Sequence, residues 1–288
     1  MFLIMHSFRM FTARFFTLFL ALFGGVFGVA GKASADWETL PESRHQLYQT
    51  YSLFFDEQSS LLNTGGARAW GALGGTLPVY GNNDTEAHPQ IFFHATANAS
   101  MKYNSDFKIG TETVDARVGV GYEMAITPEF RFSTGLTHDS AHAADGIDDL
   151  GLFEPPVGEE FFFIRGVYDL GNTFRLGATL RPFLRAYPQI QTFAAEQFAE
   201  YFPWGGKDDP HSGSPYLALG SDQWGDTHLV QTTHVQLGVY FGNHFSPKFH
   251  QSARVVIGYY TGADPRLKYF RYRETTREFA YLGLMFDL

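Results

Sequence analysis

Residues 130–149, FRFSTGLTHDSAHAADGIDD, place His138, Ser140 and His142 at alternate positions and follow them with Asp145, Asp148 and Asp149. A serine hydroxyl is a weak nucleophile until an adjacent base takes its proton. Alternate residues of a β-strand share one face and lie about 7 Å apart at Cα. An imidazole at 138 and a hydroxyl at 140 can therefore lean together. A third group must hold the imidazole in one tautomer. Asp145 is the candidate for that role, with Asp148 and Asp149 behind it, and His142 shares the face. Such a set performs acyl transfer through serine. The plainer alternative makes these residues the polar end of a strand, with His142 and Asp145 tying down the loop.

The segment 143–160 carries Asp145, Asp148, Asp149, Glu154, Glu159 and Glu160 and no basic residue. Hard divalent cations such as calcium are bound by several carboxylate oxygens, so Asp145, Asp148 and Asp149 are candidate calcium ligands. The spacing is not that of an EF-hand, so the preferred reading is a solvated loop whose acids bridge to lipopolysaccharide through ambient divalent ions. His138 and His142 are about 13 Å apart along an extended strand, too far to share a zinc ion. His94, His228 and His234 stand alone in the sequence and read as packed or solvated. There is no phosphate-binding glycine loop, no dinucleotide fingerprint and no HExxH.

The elements that would hold these residues are strands. In TETVDARVGVGYEMA, Val114, Ala116, Val118, Val120, Tyr122 and Met124 share one face, and Asp115, Arg117, Gly119, Gly121 and Glu123 the other. TFRLGATLRPFLR and IFFHATANAS alternate in the same way. Apolar residues outside and polar residues or glycine inside are the pattern of a transmembrane β-barrel. Charges alternating through strand interiors would be costly in a soluble sandwich core. Aromatic residues make up 17% of the chain, 30 of them Phe and 15 Tyr, as interfacial girdles require. The expected fold is all-β: a closed antiparallel transmembrane barrel of about 12 strands, or 10 if segments 47–56 and 190–202 are not strands. The second of these, IQTFAAEQFAEYF, reads also as a short helix. Both termini and the short turns 126–128 and 170–172 fall at the periplasmic end, and 143–159 and 263–276 become outer loops. Arg117, Arg175, Arg181, Arg185, Asp115, Glu123 and Asp169 read as facing the lumen. Unless a bulge intervenes, His138, Ser140 and His142 face lipid.

Residues 1–35 read as a cleaved signal peptide, leaving 36–288 as a single barrel domain. Arg9 and Arg14 precede the apolar run FFTLFLALFGGVFGV, and Ala33-Ser34-Ala35 is a cleavage site. Cleavage would remove Arg9, Arg14 and Lys32 and no acid, taking the formal charge from −9 to −12. An acidic chain without a basic face is no partner for nucleic acid. With no cysteine, disulfides and thiolate metal sites are excluded.

Two resemblances follow from quoted residues. The segment THDSAHAADGI resembles the hallmark of an uncharacterised "domain of unknown function" family of exported Gram-negative proteins, a strand ending in a His-Gln-Ser-Ser-His-Leu-Gly-Asp-Glu-like motif. It matches at His138, Ser140, His142 and Asp145 and departs at Asp139, Ala141, Ala144 and Gly146. IGYYTGADP and the closing YLGLMFDL fit the downstream order. That family implies a barrel in the outer membrane and brings no established activity. The closing strand also resembles the terminal signal read by the barrel assembly machinery, with Leu288 where Phe or Trp is usual. Locally, His138-x-Ser140 is similar to the pair on the outer wall of outer-membrane phospholipase A and of the lipid A deacylase barrel. Ala141 stands where those motifs have Asn. This second resemblance implies a lipid acyl-ester hydrolase in the Gram-negative outer membrane, working on outer-membrane lipids or lipopolysaccharide. The competing expectation is a non-catalytic barrel, structural or a narrow passage for small solutes.

Overall fold

The computed structural model describes residues 52–56, 68–81, 89–103, 109–146, 156–188, 192–204, 213–225, 230–241, 252–273 and 276–287. Residues 1–35, and with them the signal peptide, lie outside the described residues, as do Asp148 and Asp149.

Twelve antiparallel strands close into a barrel. They are β1 (Ser52–Asp56), β2 (Arg68–Gly81), β3 (Gln90–Tyr103), β4 (Ile109–Ala125), β5 (Phe130–Ala143), β6 (Val157–Leu170), β7 (Phe174–Tyr187), β8 (Phe193–Tyr201), β9 (Ser214–Gly225), β10 (Val230–Phe241), β11 (Ser252–Ala263) and β12 (Thr276–Asp287). Each pairs with its neighbours in sequence, and β1 closes the ring by pairing with both β12 and β2. Closure gives every strand two partners and leaves no edge, the one arrangement in which strands satisfy their backbone groups in lipid. The sequence expectation of twelve strands holds. Segment 193–201 is a strand, because alternation brings Ala194, Glu196, Phe198 and Glu200 into the interior.

The exterior is apolar. Val114, Val118, Phe162, Ile164, Leu176, Leu180, Leu217, Leu219, Val255, Ile257, Leu282 and Leu284 are all exposed on the strands. The interior is polar and filled. Arg117 forks onto Asp139 at 2.8 and 2.7 Å. Arg175 forks onto Asp169 at 2.6 and 3.1 Å, and Arg181 reaches Asp222 at 3.4 Å. Aromatic rings fill space left by inward glycines: a Cβ on Gly177 would lie 2.1 Å from the Phe198 ring, and one on Gly258 would lie 2.0 Å from that of Tyr281.

Two tight turns lie at one end. In 126–129 the Thr127 hydroxyl accepts the amides of Glu129 and Phe130, and in 171–173 Gly171 adopts φ +58°. At the opposite end β11 bends inward at Gly262, whose φ of 136° and close approach to Thr232 exclude a side chain. The next residues enter the lumen as a short helix, α1 (Leu267–Arg273). Lys268, Phe270 and Arg271 are buried. The Leu267 amide donates to Asp115 of β4, and Arg271 pairs with Glu159 of β6. The loop expected over 263–276 is thus a plug inside the barrel.

Asp264 anchors this plug. It accepts both Arg266 Nε and Nη2, at 3.0 and 2.7 Å, and Arg277 Nε at 2.8 Å. Burial opposes its charge, but the Arg266 and Arg277 guanidiniums outweigh burial and hold the carboxyl below its ordinary value. A lowered folded value stabilises the barrel above the unfolded value near 3.8 and is lost as pH falls through the folded one. Urea midpoints of the parent should therefore fall as the pH drops below about 4. Asp264→Asn should lack that component and be less stable by ~1–3 kcal/mol at neutral pH.

Candidate active site

On β5 the buried positions are Ser133, Thr137, Asp139 and Ala141. Their partners lie in the lumen: Thr137 touches His94 at 3.2 Å and Asp139 holds Arg117. The alternate set, His138, Ser140 and His142, therefore stands on the outer wall, as the alternation of the sequence predicts. No bulge interrupts the pairing of β5 with β4 or β6.

Strand register supplies the neighbours of each side chain. Ser140 lies between Ala116 of β4 and Gly158 of β6. Both are small, so the wall is recessed on either side of the hydroxyl; a Cβ on Gly158 would meet only His138 Cε1, at 3.9 Å. His138 lies between Val118 and Glu160. Its Nδ1 is 3.2 Å from Glu160 Oε1. That bond directs the other ring nitrogen away from Glu160, free to face a hydroxyl. His142 is exposed opposite Val114. Along β5, Ser140 is three residues from the strand's end, roughly 10 Å.

The structure joins His138 to Glu160 and sets Ser140 two residues along β5 on the same outer face. It places Asp145 elsewhere: exposed, in the turn after β5. There the amides of Ala144 and Gly146 bond to Glu112 and Thr111 of β4. The turn is pinned on the β4 side of the strand, whereas the carboxylate that meets His138 comes from β6. Glu160 belongs to β6, which begins at Val157 and takes in the last residues of the acidic segment 143–160. A signal for it was present, since it alternates in phase with Phe162 and Ile164, an acid on an otherwise apolar face.

Arg185 is also displaced from its expected position. The sequence reading placed it in the lumen with Arg181. A bulge in β7 pairs Glu160 with Arg185 and Phe161 with Phe183, leaving Leu184 as the extra residue. The phase reverses there, and Arg185 joins the outer face with its Nε 3.9 Å from Glu160 Oε2. Arg117, Arg175, Arg181, Asp115, Glu123 and Asp169 do face the lumen, through the pairs above, through Asp115 with α1 and through Gln90 with Glu123 at 3.0 Å. His94 and His234 are packed, the latter bonded to the Tyr281 hydroxyl.

Comparison with solved structures meets the same architecture. The outer membrane phospholipase A of Escherichia coli superposes with a TM-score of 0.54 at 10% identity, covering 83% of this chain and 95% of that one. The fold is that of outer membrane phospholipase A. The calcium-bound dimer of the Salmonella typhi phospholipase gives a TM-score of 0.53 at 10% identity, covering 88% and 98%. An asparagine-to-alanine active-site mutant of the Escherichia coli enzyme gives 0.54 at 10% identity, also covering 88% and 98%. No protein-family model matches the sequence, and no curated protein matches it by sequence. The resemblance to an uncharacterised exported family has no such match behind it.

Proposed function

We propose that the chain is an outer-membrane barrel of a Gram-negative bacterium that hydrolyses acyl esters of membrane lipids at its rim. The observation that carries this reading is the row Ser140, His138, Glu160 on the apolar outer wall, with imidazole and carboxylate 3.2 Å apart. A polar row of this kind has no packing role on a face that otherwise presents Val118, Phe162 and Ile164 to the bilayer. It lies near the end of a strand, where bilayer lipids carry their ester bonds.

The chemistry follows from the geometry. Glu160 accepts the proton on Nδ1 of His138 and fixes the tautomer. The other ring nitrogen takes the Ser140 proton as the hydroxyl attacks the ester carbonyl. The imidazolium then protonates the departing alcohol, and the acyl group remains on Ser140. Water, deprotonated by His138, releases the fatty acid. Ala116 and Gly158 leave room for the acyl ester beside Ser140. His142 lies two residues nearer the rim on the same face, on the headgroup side of Ser140.

Calcium is bound by the Salmonella typhi phospholipase. In this chain no cluster of three or more His, Asp or Glu suited to a metal occurs among the described residues. Asp145 is the one described member of the set Asp145, Asp148 and Asp149, and no step is routed through a cation. The alternative of a small-solute passage has less support, since Phe270 and Arg271 of α1 occupy the lumen beside β6.

The test compares the purified parent with Ser140→Ala on phospholipid and on lipid A. Loss of turnover in the variant is the expected result, and equal turnover removes the proposal. Export by a cleaved leader and handling by the barrel assembly machinery belong to the same reading. N-terminal sequencing of the membrane-inserted protein tests the leader, with Asp36 the expected first residue.

A further inference from the structure

We propose that Arg185 is a positioning residue that acts through Glu160, so that the outer wall carries a four-membered row, Arg185–Glu160–His138–Ser140, across β7, β6 and β5. This inference rests on the hydrolase reading of the same site.

Three observations carry it. The first is the bulge. Continued alternation from Leu180 and Pro182 would turn Leu184 outward and Arg185 into the lumen; the extra residue leaves Leu184 exposed and sets Arg185 on the outer face as well, directly opposite Glu160. Bulges re-aim side chains in this way next to active sites. The second is the cost. A guanidinium on the lipid-facing wall is unfavourable by about 0–1 kcal/mol near the interface and about 2–4 at the midplane. Inward arginines such as Arg117 and Arg175 escape that cost by forking onto lumen carboxylates. Among the outward side chains of β5, β6 and β7, Arg185 is the one permanent cation. The third is the carboxylate. Glu160 presents Oε1 to His138 at 3.2 Å, while its Oε2 is buried, has no hydrogen-bond partner among the described residues, and lies 3.9 Å from Arg185 Nε.

A carboxylate that meets a histidine through one oxygen and faces a guanidinium with the other is drawn electrostatically toward the plane of the imidazole. A glutamate, with one more rotatable bond than an aspartate, needs that second restraint to orient a base. As charge develops on His138 in the transition state, the Arg185–Glu160 pair, 3.9 Å apart, can shorten by about 1 Å to a charge-assisted hydrogen bond. Its contribution is therefore larger in the transition state than in the ground state, and it belongs in kcat.

The experiment measures kcat and KM for the full chain on acyl-thioester phospholipid in mixed micelles. It uses Arg185→Ala, Arg185→Lys, Glu160→Ala and the Arg185→Ala/Glu160→Ala double variant, with Ser140→Ala alongside. Arg185→Ala should lower kcat about 10–100-fold with KM within about twofold. Arg185→Lys should recover part of the loss, because lysine keeps the charge but not the fork. In the Glu160→Ala background, Arg185→Ala should add nothing, which a merely structural arginine would not reproduce. An unchanged kcat overturns the proposal. So does a raised KM at constant kcat, which would make Arg185 a headgroup-phosphate contact. If Ser140→Ala is inactive while Arg185→Ala is fully active, this inference alone falls. If Ser140→Ala is active, the hydrolase reading falls with it.

Discussion

Ser140→Ala is expected to abolish ester turnover by at least about 10³-fold while leaving the barrel folded, and His138→Ala should match it. The magnitude follows from the chemistry: without the hydroxyl no acyl intermediate forms, and without the imidazole the hydroxyl keeps its proton at neutral pH. Members of one catalytic unit are not additive, so the double variant should be no worse than either single one. The fold should tolerate both changes. Ser140 faces out of the barrel between Ala116 and Gly158, and its truncation opens no cavity in the core. Folded barrels keep their heat-modifiable mobility in detergent gels, which separates loss of activity from loss of structure. A fluorophosphonate probe supplies a second readout, expected to label the parent and not Ser140→Ala.

Much of this architecture was legible in the residues because a barrel is written in a two-residue period. Alternation alone assigns Val114, Val118 and Tyr122 to lipid and Arg117 and Glu123 to the lumen, and closure explains why charge can alternate through strand interiors. The same period puts His138 and Ser140 on one outer face. It does not say which residue of the next strand stands beside them. That depends on hairpin register, and the segment between β5 and β6 is too long for its turn chemistry to set it. Sequence nearness therefore groups Glu160 with the acids of 143–160 and leaves Asp145 as the candidate third group. Register replaced nearness along the chain with nearness across strands. Arg185 shows the limit of periodicity from the other side. One bulged residue, Leu184, reverses the phase, and no residue type in RPFLRAY marks that bulge unambiguously. In 193–201, the Ala, Glu and Gln content favours helix, and pairing with β7 and β9 overrides that propensity. The inward turn of 264–273 was not legible either, because it depends on lumen acids contributed by β4 and β6.

Arg271→Met should destabilise the barrel by about 3–5 kcal/mol, whereas Glu159→Leu/Arg271→Met together should recover most of that loss. Arg271 is buried on α1 and bonds Glu159 through Nε. Its guanidinium lies 5.1 Å from the Trp224 ring and 5.3 Å from that of Phe183. Its two Nη atoms and Glu159 Oε2 have no hydrogen-bond partner among the described residues. The pair is thus incompletely satisfied, and its value lies in mutual compensation. Removing the cation strands a carboxylate in the interior, which costs far more than the pair contributes, while replacing both by apolar side chains removes the problem. Urea titration followed by tryptophan emission checks this directly, since Trp224 packs on Arg271 and on Phe270 at 5.6 Å. The consequence reaches the outer wall. Glu159 and Glu160 are consecutive on β6, one facing the plug and the other facing His138, so the pair in the lumen braces the strand that presents the carboxylate beside His138. Arg271→Met should therefore also lower ester turnover, by about tenfold if Glu160 loses its register with His138, and the double variant should restore it. A double variant that regains stability without regaining turnover would show that the plug supports the site through charge and not through packing.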